Sequence, residues 1–268
     1  MDQLGIGVVG CGGRMGRMIL AAARANPDCR LVGGTEAPGS PALGKDLGEL
    51  IGAEPCDAVV LDDPLALFAK ADAVVDFTTP EATVRHAELA AQAKVALVIG
   101  TTGLSDAQVA RIEKAAVHTP IVLAPNMSLG VNLLLALVER VAATLGPDYD
   151  IEVLEMHHRH KVDAPSGTAL ALGRAAAAGR GVALDQVAQK VREGVTGPRP
   201  PGAIGFATLR GGDVAGEHSV IFAGEGERLE LAHKASSREV FARGALRAAL
   251  WTRDKDPGLY SMKDVLGL

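Results

Sequence analysis

"IGVVGCGGRMGRMILAAARAN", residues 6 to 26, decides how this chain is read. A short apolar run of β type ends in glycine and passes, within four residues, into an Ala-rich helical stretch beginning at Arg14. A strand, a glycine-rich turn and a helix in that order open a parallel sheet whose helices carry the chain back over the sheet. The rest of the first half repeats the pattern. "CRLVGGTE" (29–36), "DAVVL" (57–61), "ADAVVDFT" (71–78), "VALVIGTTG" (95–103) and "PIVLAPN" (120–126) read as strands. "PEATVRHAELAAQAK" (80–94) and a stretch from about Ser105 to His118 read as helices, the first opened by Pro80 and the second capped by "LSDAQ". The unit expected is Rossmann-type, a doubly wound parallel sheet of about 125 residues.

The turn itself carries Gly10, Gly12, Gly13 and Gly16. Glycines let the backbone bring N–H groups close to a diphosphate, whose charge the start of the following helix stabilises. Gly10-x-Gly12 followed by Gly16 is one residue longer than G-x-G-x-x-G, and Gly10, Gly13 and Gly16 form a second possible frame. Context supports a dinucleotide: Glu36 closes the second strand 20 residues past Gly16, where a carboxylate accepts hydrogen bonds from a ribose. Ala37 and Pro38 follow it, and Arg14 is the only close cation. A carboxylate repels a 2′-phosphate, so charge favours NADH over NADPH. The loops "GTTG" (100–103) and "APNMS" (124–128) end two further strands of the same sheet, where such folds place their ligands.

After Ser128 the pattern changes. "LGVNLLLALVERVAATLG" (129–146) reads as one long helix. Strand-like segments then follow, separated by glycine turns: "DIEVLEMHH", "GAIGFATLRGG" and the pair in "EHSVIFAGEGERLELAHKA" joined at "GEGE". A smaller α+β domain with a mostly antiparallel open sheet is expected, broken by one Ala-rich helix from about Ser166 to Gly179 and by the irregular loop "EGVTGPRPPGAIG". The final helical stretch "SREVFARGALRAALW" is expected to return to the first domain. The boundaries are 1–128 with 239–268 for the first domain and 129–238 for the second.

Composition narrows the function. With 268 residues, 48% hydrophobic, 22% charged and 3% aromatic, the chain reads as soluble α/β. A net charge of -5 and few aromatics argue against nucleic acid. Cys11, Cys29 and Cys56 show no metal-ligand spacing and read as reduced thiols. The start "MDQLGIGVV" shows no basic leader, no cleavage site and no apolar run of bilayer length, so no membrane partner and a cytoplasmic protein are expected.

"EMHHRHKVDAPSGTALALG" (155–173) is the exception to this acidic balance. His157, His158, Arg159, His160 and Lys161 stand together at the end of a strand. Their spacing offers no usual zinc set, and a merely solvated turn leaves the next residues unexplained. Pro165 opens a helix with Ser166 or Thr168 as its cap, and the N–H groups of Ser166, Gly167 and Thr168 are available to an anion. Imidazoles supply a proton near neutral pH, and a lysine among cations has its pKa lowered. The cluster suits an anionic substrate, a dicarboxylate, that also needs a proton.

Taken together, "GCGGRMG", "IGTTG", "APNMSLGVN", "EMHHRHKVDAPSGTAL" and "HKASSREVFARGALRAALW" resemble the dihydrodipicolinate (4-hydroxy-tetrahydrodipicolinate) reductase family over nearly the whole chain. The resemblance implies an NAD(P)H-dependent oxidoreductase of lysine and diaminopimelate biosynthesis. Its reaction reduces a cyclic imine dicarboxylate to tetrahydrodipicolinate. It implies His157 as proton donor or acceptor, Lys161 as a second donor that holds a carboxylate, and His158, Gly167 and Thr168 as substrate contacts, beside the Ser166 amide read above. It implies cofactor contacts at Gly10, Cys11, Gly12, Gly13, Arg14, Met15, Glu36, Gly100, Thr101, Thr102, Ala124, Pro125, Asn126 and Met127. A homotetramer joined through the second domain's sheets is also implied, and the spacing of the histidines leads to no metal being expected. Many members carry arginine where this chain has Ala37, which again points to NADH. The competing readings are another nicotinamide-linked oxidoreductase, a dinucleotide-sensing regulator and a metal hydrolase.

Overall fold

Burial on both faces explains the continuous apolar strands of the first half. In the computed structural model, which describes residues 2–268, they form β1 (Leu4–Val9), β2 (Cys29–Thr35), β3 (Val60–Leu61), β4 (Ala73–Asp76), β5 (Ala96–Ile99) and β6 (Pro120–Leu123). Between them run α1 (Arg14–Arg24), α2 (Leu47–Leu50), α3 (Pro64–Phe68), α4 (Pro80–Ala93) and α5 (Asp106–Ala116). Helix α4 starts at Thr79, whose hydroxyl accepts from the Ala82 amide, and α5 starts in a reciprocal Ser105–Gln108 capping box.

The remaining elements are α6 (Leu129–Leu145), β7 (Asp150–His157), α7 (Gly167–Gly179), α8 (Leu184–Val187), β8 (Ala188–Gln189), β9 (Ile204–Arg210), β10 (Gly216–Gly224) and β11 (Glu227–Ala235). The chain closes with α9 (Glu239–Trp251), β12 (Gly258–Tyr260) and α10 (Met262–Leu266). Two compact units result: Met1–Leu129 with Glu239–Gly267, and Gly130–Arg238 with Leu268.

The first unit holds a parallel sheet of order β12-β6-β5-β4-β1-β2-β3. Strand β1 lies between β4 and β2, so the direction of winding reverses beside it. Ile6, Val8 and Val98 join Ile19 and Leu20 of α1 and Ala242, Ala245 and Leu246 of α9 in one core, while Val9, Leu97 and Ile99 join Phe68, Ala87 and Ile112 in the other. Full burial of each such aliphatic side chain contributes about 1.5–3 kcal/mol. The edge strand β12 went unread in the sequence because three residues are too few to show an alternation.

The second unit is a mixed sheet of order β11-β10-β7-β9-β8. The antiparallel expectation is met by β7, β10 and β11, but β9 lies parallel to both β7 and β8. The cause is two returns: α7 carries the chain back before β8, and the segment 190–203 carries it back again before β9, so both strands run the same way as β7. Ile151, Val153, Ile204, Phe206, Val220 and Phe222 face Leu134, Val138 and Ala142 of α6 and Ala169, Leu172 and Ala176 of α7. Both helical sets repeat at three to four residues, as one buried stripe requires.

Helix α6 bears on the expectation of no membrane partner. Leu129–Asp148 has the length and, with a mean hydropathy of 1.5, the composition of a candidate membrane span. Leu134, Val138 and Ala142 of this helix pack in the second unit's core.

Candidate active site

The first set of candidate residues lies at the C-terminal ends of β1, β2, β5 and β6, where an open parallel sheet binds its ligands. Gly10 takes a left-handed φ of +65° to turn the chain out of β1. A Cβ on Gly16 would lie 2.2 Å from the Gly10 carbonyl oxygen, so only glycine lets α1 start this close to the strand. Gly13 is the N-cap of α1 and supplies no side-chain cap, which leaves the amide-rich helix start open to an anion. The Glu36 Oε1 accepts from the Gly12 amide at 2.7 Å, which holds the carboxylate beside the turn.

Several of the expected contacts can meet a ligand only through their backbone. Cys11 is fully buried, and burial together with the Glu36 charge pushes its thiol up to about 12. Ala124 and Met127 are likewise packed in the core. The Thr101 hydroxyl belongs to a buried network: it accepts from Thr83 Oγ1 at 2.8 Å and donates to Asp76 Oδ1 at 3.3 Å, while Asp76 Oδ2 meets His86 Nδ1 at 2.8 Å. Asn126 Oδ1 accepts from the Ser128 amide at 2.9 Å. Arg14, Thr102 and Pro125 are exposed, Met15 is half-buried, and Gly100 is packed against the Phe77 ring.

Two residues on this side escaped the sequence reading. Arg17 donates from Nε to the Gly12 carbonyl at 2.9 Å, so a second cation stands at the turn. Phe77 follows β4 and fills the space above Gly100. A separate cavity of about 1250 Å³ runs along α1, α2 and α9, and Arg14 is the only expected contact that lines it.

The basic cluster of the second unit does not act as a block. Strand β7 ends at His157, and the chain turns: the His158 amide donates to Val214 O at 2.8 Å and the Lys161 amide to His158 O at 3.1 Å. His157 is turned inward at 9% exposure, whereas Arg159 and His160 are exposed. His158 is half-buried, and its Nδ1 has no partner among the described residues. Lys161 Nζ pairs with Asp163 Oδ1 at 2.9 Å.

Glu155, two residues before His157 on the same strand face, is the centre of this site. It is 1% exposed and accepts from His157 Nδ1 at 2.5 Å, from Arg210 Nη1 and Nη2 at 2.8 and 2.9 Å, and from the Ser166 amide at 3.0 Å. Burial alone would raise its pKa, but these donors outweigh burial and hold it below the usual carboxylate range. An ionised carboxylate only accepts, so His157 donates from Nδ1 and leaves Nε2 for other chemistry. Burial pulls the His157 pKa below the ordinary imidazole range; Glu155 opposes this, and Lys161 and Arg210 reinforce it. Gly216 keeps the approach clear, because a Cβ there would lie 3.0 Å from His157 Nε2.

The start of α7 refines another expectation. Ser166, not Thr168, is the N-cap, with Oγ accepting from the Ala169 amide at 3.1 Å. Its own amide is taken by Glu155, so Gly167 and Thr168 stand beyond it at the head of the helix. Among the described residues no group of three or more His, Cys, Asp or Glu is placed to hold a metal ion.

His218 on β10 completes the cluster, its ring edge-on to His157 at 5.1 Å and its Nε2 3.1 Å from Ser166 Oγ. Burial, with the neighbouring His157, pushes its pKa down to about 4 from 6.5. Between these values the unfolded chain binds a proton that the folded chain refuses, so stability falls as pH drops from about 6.5 to 4. The expected loss is roughly 3 kcal/mol, read from urea unfolding across that range. His218→Gln removes that part of the slope; equal slopes in the two proteins contradict the assignment.

Comparison with known proteins agrees with both halves. Residues 4–127 match the family model "Dihydrodipicolinate reductase, N-terminus" and residues 130–266 match "Dihydrodipicolinate reductase, C-terminus". A 4-hydroxy-tetrahydrodipicolinate reductase of Dinoroseobacter shibae is 61% identical over 267 residues, covering 100% of this chain and 99% of that protein. One from Brucella abortus is 59% identical over 266 residues, 99% of each chain. The dipicolinate-bound dihydrodipicolinate reductase structure from Paenisporosarcina superposes with a TM-score of 0.78 at 26% identity over 97% of each chain. With both of its units matched and relatives this similar along its whole length, the chain belongs to the dihydrodipicolinate reductase family.

Proposed function

We infer that this chain reduces dihydrodipicolinate, or its hydrated 4-hydroxy form, to tetrahydrodipicolinate. It is an NAD(P)H-dependent oxidoreductase of lysine and diaminopimelate biosynthesis. The observation that carries the reading is the buried Glu155–His157 pair beside Lys161 and the head of α7: a proton source set in a site built for carboxylates. Reduced nicotinamide, when bound, supplies the hydride. The Gly10–Met15 turn, Glu36 and the loops at Gly100–Thr102 and Ala124–Met127 would hold it.

The protein's own groups handle the proton and the charge. Lys161 releases Asp163 and takes one substrate carboxylate; the amides of Gly167 and Thr168 take the other, with His158 alongside. These anions favour imidazolium at His157, so the proton arrives at Nε2 together with the substrate. Nε2 would then donate it as the nicotinamide's hydride adds, one hydride with one proton saturating one double bond of dihydrodipicolinate; the hydrated 4-hydroxy form would first lose its hydroxyl as water.

Glu36 beside Gly12, followed by Ala37, supports NADH as the better donor, with Arg17 the cation that keeps NADPH usable. The test is nucleotide oxidation with freshly generated substrate, NADH and NADPH in parallel. Ala37→Arg should shift the kcat/KM ratio toward NADPH by about tenfold, the size of one charge-assisted phosphate contact. No turnover with either nucleotide would refute the inference.

The sheet face opposite α7 supports a homotetramer. It presents Leu154, Met156 and Ile221, with Leu209 47% exposed, a patch that association would cover. Sedimentation equilibrium should give four times the 27.6 kDa chain mass, and a monomer would remove that face from the assembly.

A further inference from the structure

We propose that Arg210 is a positioning residue that ties the His157 half of the site to the Lys161 half through the single buried carboxylate of Glu155. The proposal rests on the reductase reading and concerns how its proton donor and carboxylate clamp are kept in register.

The register of the sheet sets this up. Strand β9 pairs parallel with β7 so that Arg210 lies beside His157, and β10 pairs so that His218 lies beside Glu155. From there the guanidinium reaches in two directions. Both terminal nitrogens grip the two Glu155 oxygens, and Nη2 also donates to the Asp163 carbonyl at 2.7 Å. Asp163 in turn holds Lys161 Nζ with its carboxylate. One planar fork therefore fixes the carboxylate that orients His157, and at the same time anchors the loop that carries Lys161. Through the Ser166 amide, the same carboxylate also fixes the head of α7.

Only arginine can span these partners. A lysine is a single point of charge on a flexible stem and cannot grip both oxygens and a carbonyl at once. The charge of Arg210 also matters less than its shape. The groups facing the His157 ring are Glu155 on its own strand, Arg210 on β9, His218 on β10 and Lys161 on the following loop. Arg210→Lys keeps the charges at Glu155, Lys161 and position 210 in place while breaking the connection. Glu155→Gln also breaks the fork, since an amide offers one acceptor oxygen in place of two, and in addition removes the negative charge that favours imidazolium.

The two variants are therefore expected to separate. Arg210→Lys should lower kcat about 30-fold and raise KM about tenfold, with the alkaline limb of the pH profile unmoved, because both halves lose their alignment. Glu155→Gln should lower kcat about 100-fold and raise KM about as much as Arg210→Lys does, but should in addition move that limb to lower pH. A purely structural role would reduce the folded fraction without raising KM or moving a limb.

A readout independent of turnover accompanies these assays. Imidazole nitrogen resonances of His157, identified by their loss in His157→Gln, should report a proton on Nδ1 in the wild-type protein and mixed tautomers in Glu155→Gln and Arg210→Lys. If folded Arg210→Lys keeps wild-type kcat, KM and tautomer, the proposal is overturned. If the wild-type chain shows no reduction of the substrate, the functional reading fails, and the resonances still decide whether Arg210 orients His157.

Discussion

Replacing His157 with alanine should lower kcat by about 10²- to 10⁴-fold, the usual contribution of a positioned acid, while KM changes by less than about threefold. His157 donates from Nδ1 to Glu155 and has only Nε2 free, so its loss removes the proton path and leaves Lys161 and the head of α7 to bind the substrate. The pH dependence tests the same assignment. On the proposed assignment the protonated form is active, so the rate should be present below the His157 pKa and lost as pH rises through it. In the free enzyme burial holds that pKa below the ordinary imidazole range. In the complex, two substrate carboxylates raise it. The alkaline limb of kcat should therefore lie at higher pH than that of kcat/KM. Coincident limbs, or an alanine variant with full kcat, would dismiss His157 as the donor.

Lys161→Ala should harm both parameters. Its ammonium is half-buried and paired with Asp163, whose carboxyl it holds below the usual range. Removing it takes away a charge-assisted bond of about 1.5–3 kcal/mol to a substrate carboxylate, so KM should rise about 10- to 100-fold. The same bond aligns the ring for the Nε2 proton, so kcat should fall by a similar factor. Lys161→Arg keeps the charge and should recover much of KM but little of kcat, because the guanidinium is a larger donor with a different reach. Steady-state kinetics on the three proteins separate the effects. An alanine variant that changed KM alone would confine Lys161 to binding.

The two sites were legible to different depths. The glycine turn, Glu36 and the loops after β5 and β6 were read from local pattern, because a strand, a turn and a helix each leave a periodicity or a breaker in the residues themselves. Their side-chain roles were not. Thr101 is committed to Asp76, and Cys11 to the core, for reasons of packing that no neighbour in sequence reveals. In the second unit, Glu155 carried a signal that could have been used, since strand alternation puts it on the His157 face. Arg210 and His218 carried none.

The sequence by itself determined the alternating architecture of the first unit, a capped helix start within Ser166–Thr168 and the basic run from His157 to Lys161, because these depend on hydrogen bonds and apolar spacing among residues a few positions apart. Only the tertiary structure decided that β9 runs parallel to β7, that His157 points inward while His160 points out, and that Arg210, 55 residues from Glu155, closes on its carboxylate. Those outcomes depend on which strands pair to bury the second unit's core. Pairing is a long-range choice among whole faces, and single residues reach their partners only as its consequence.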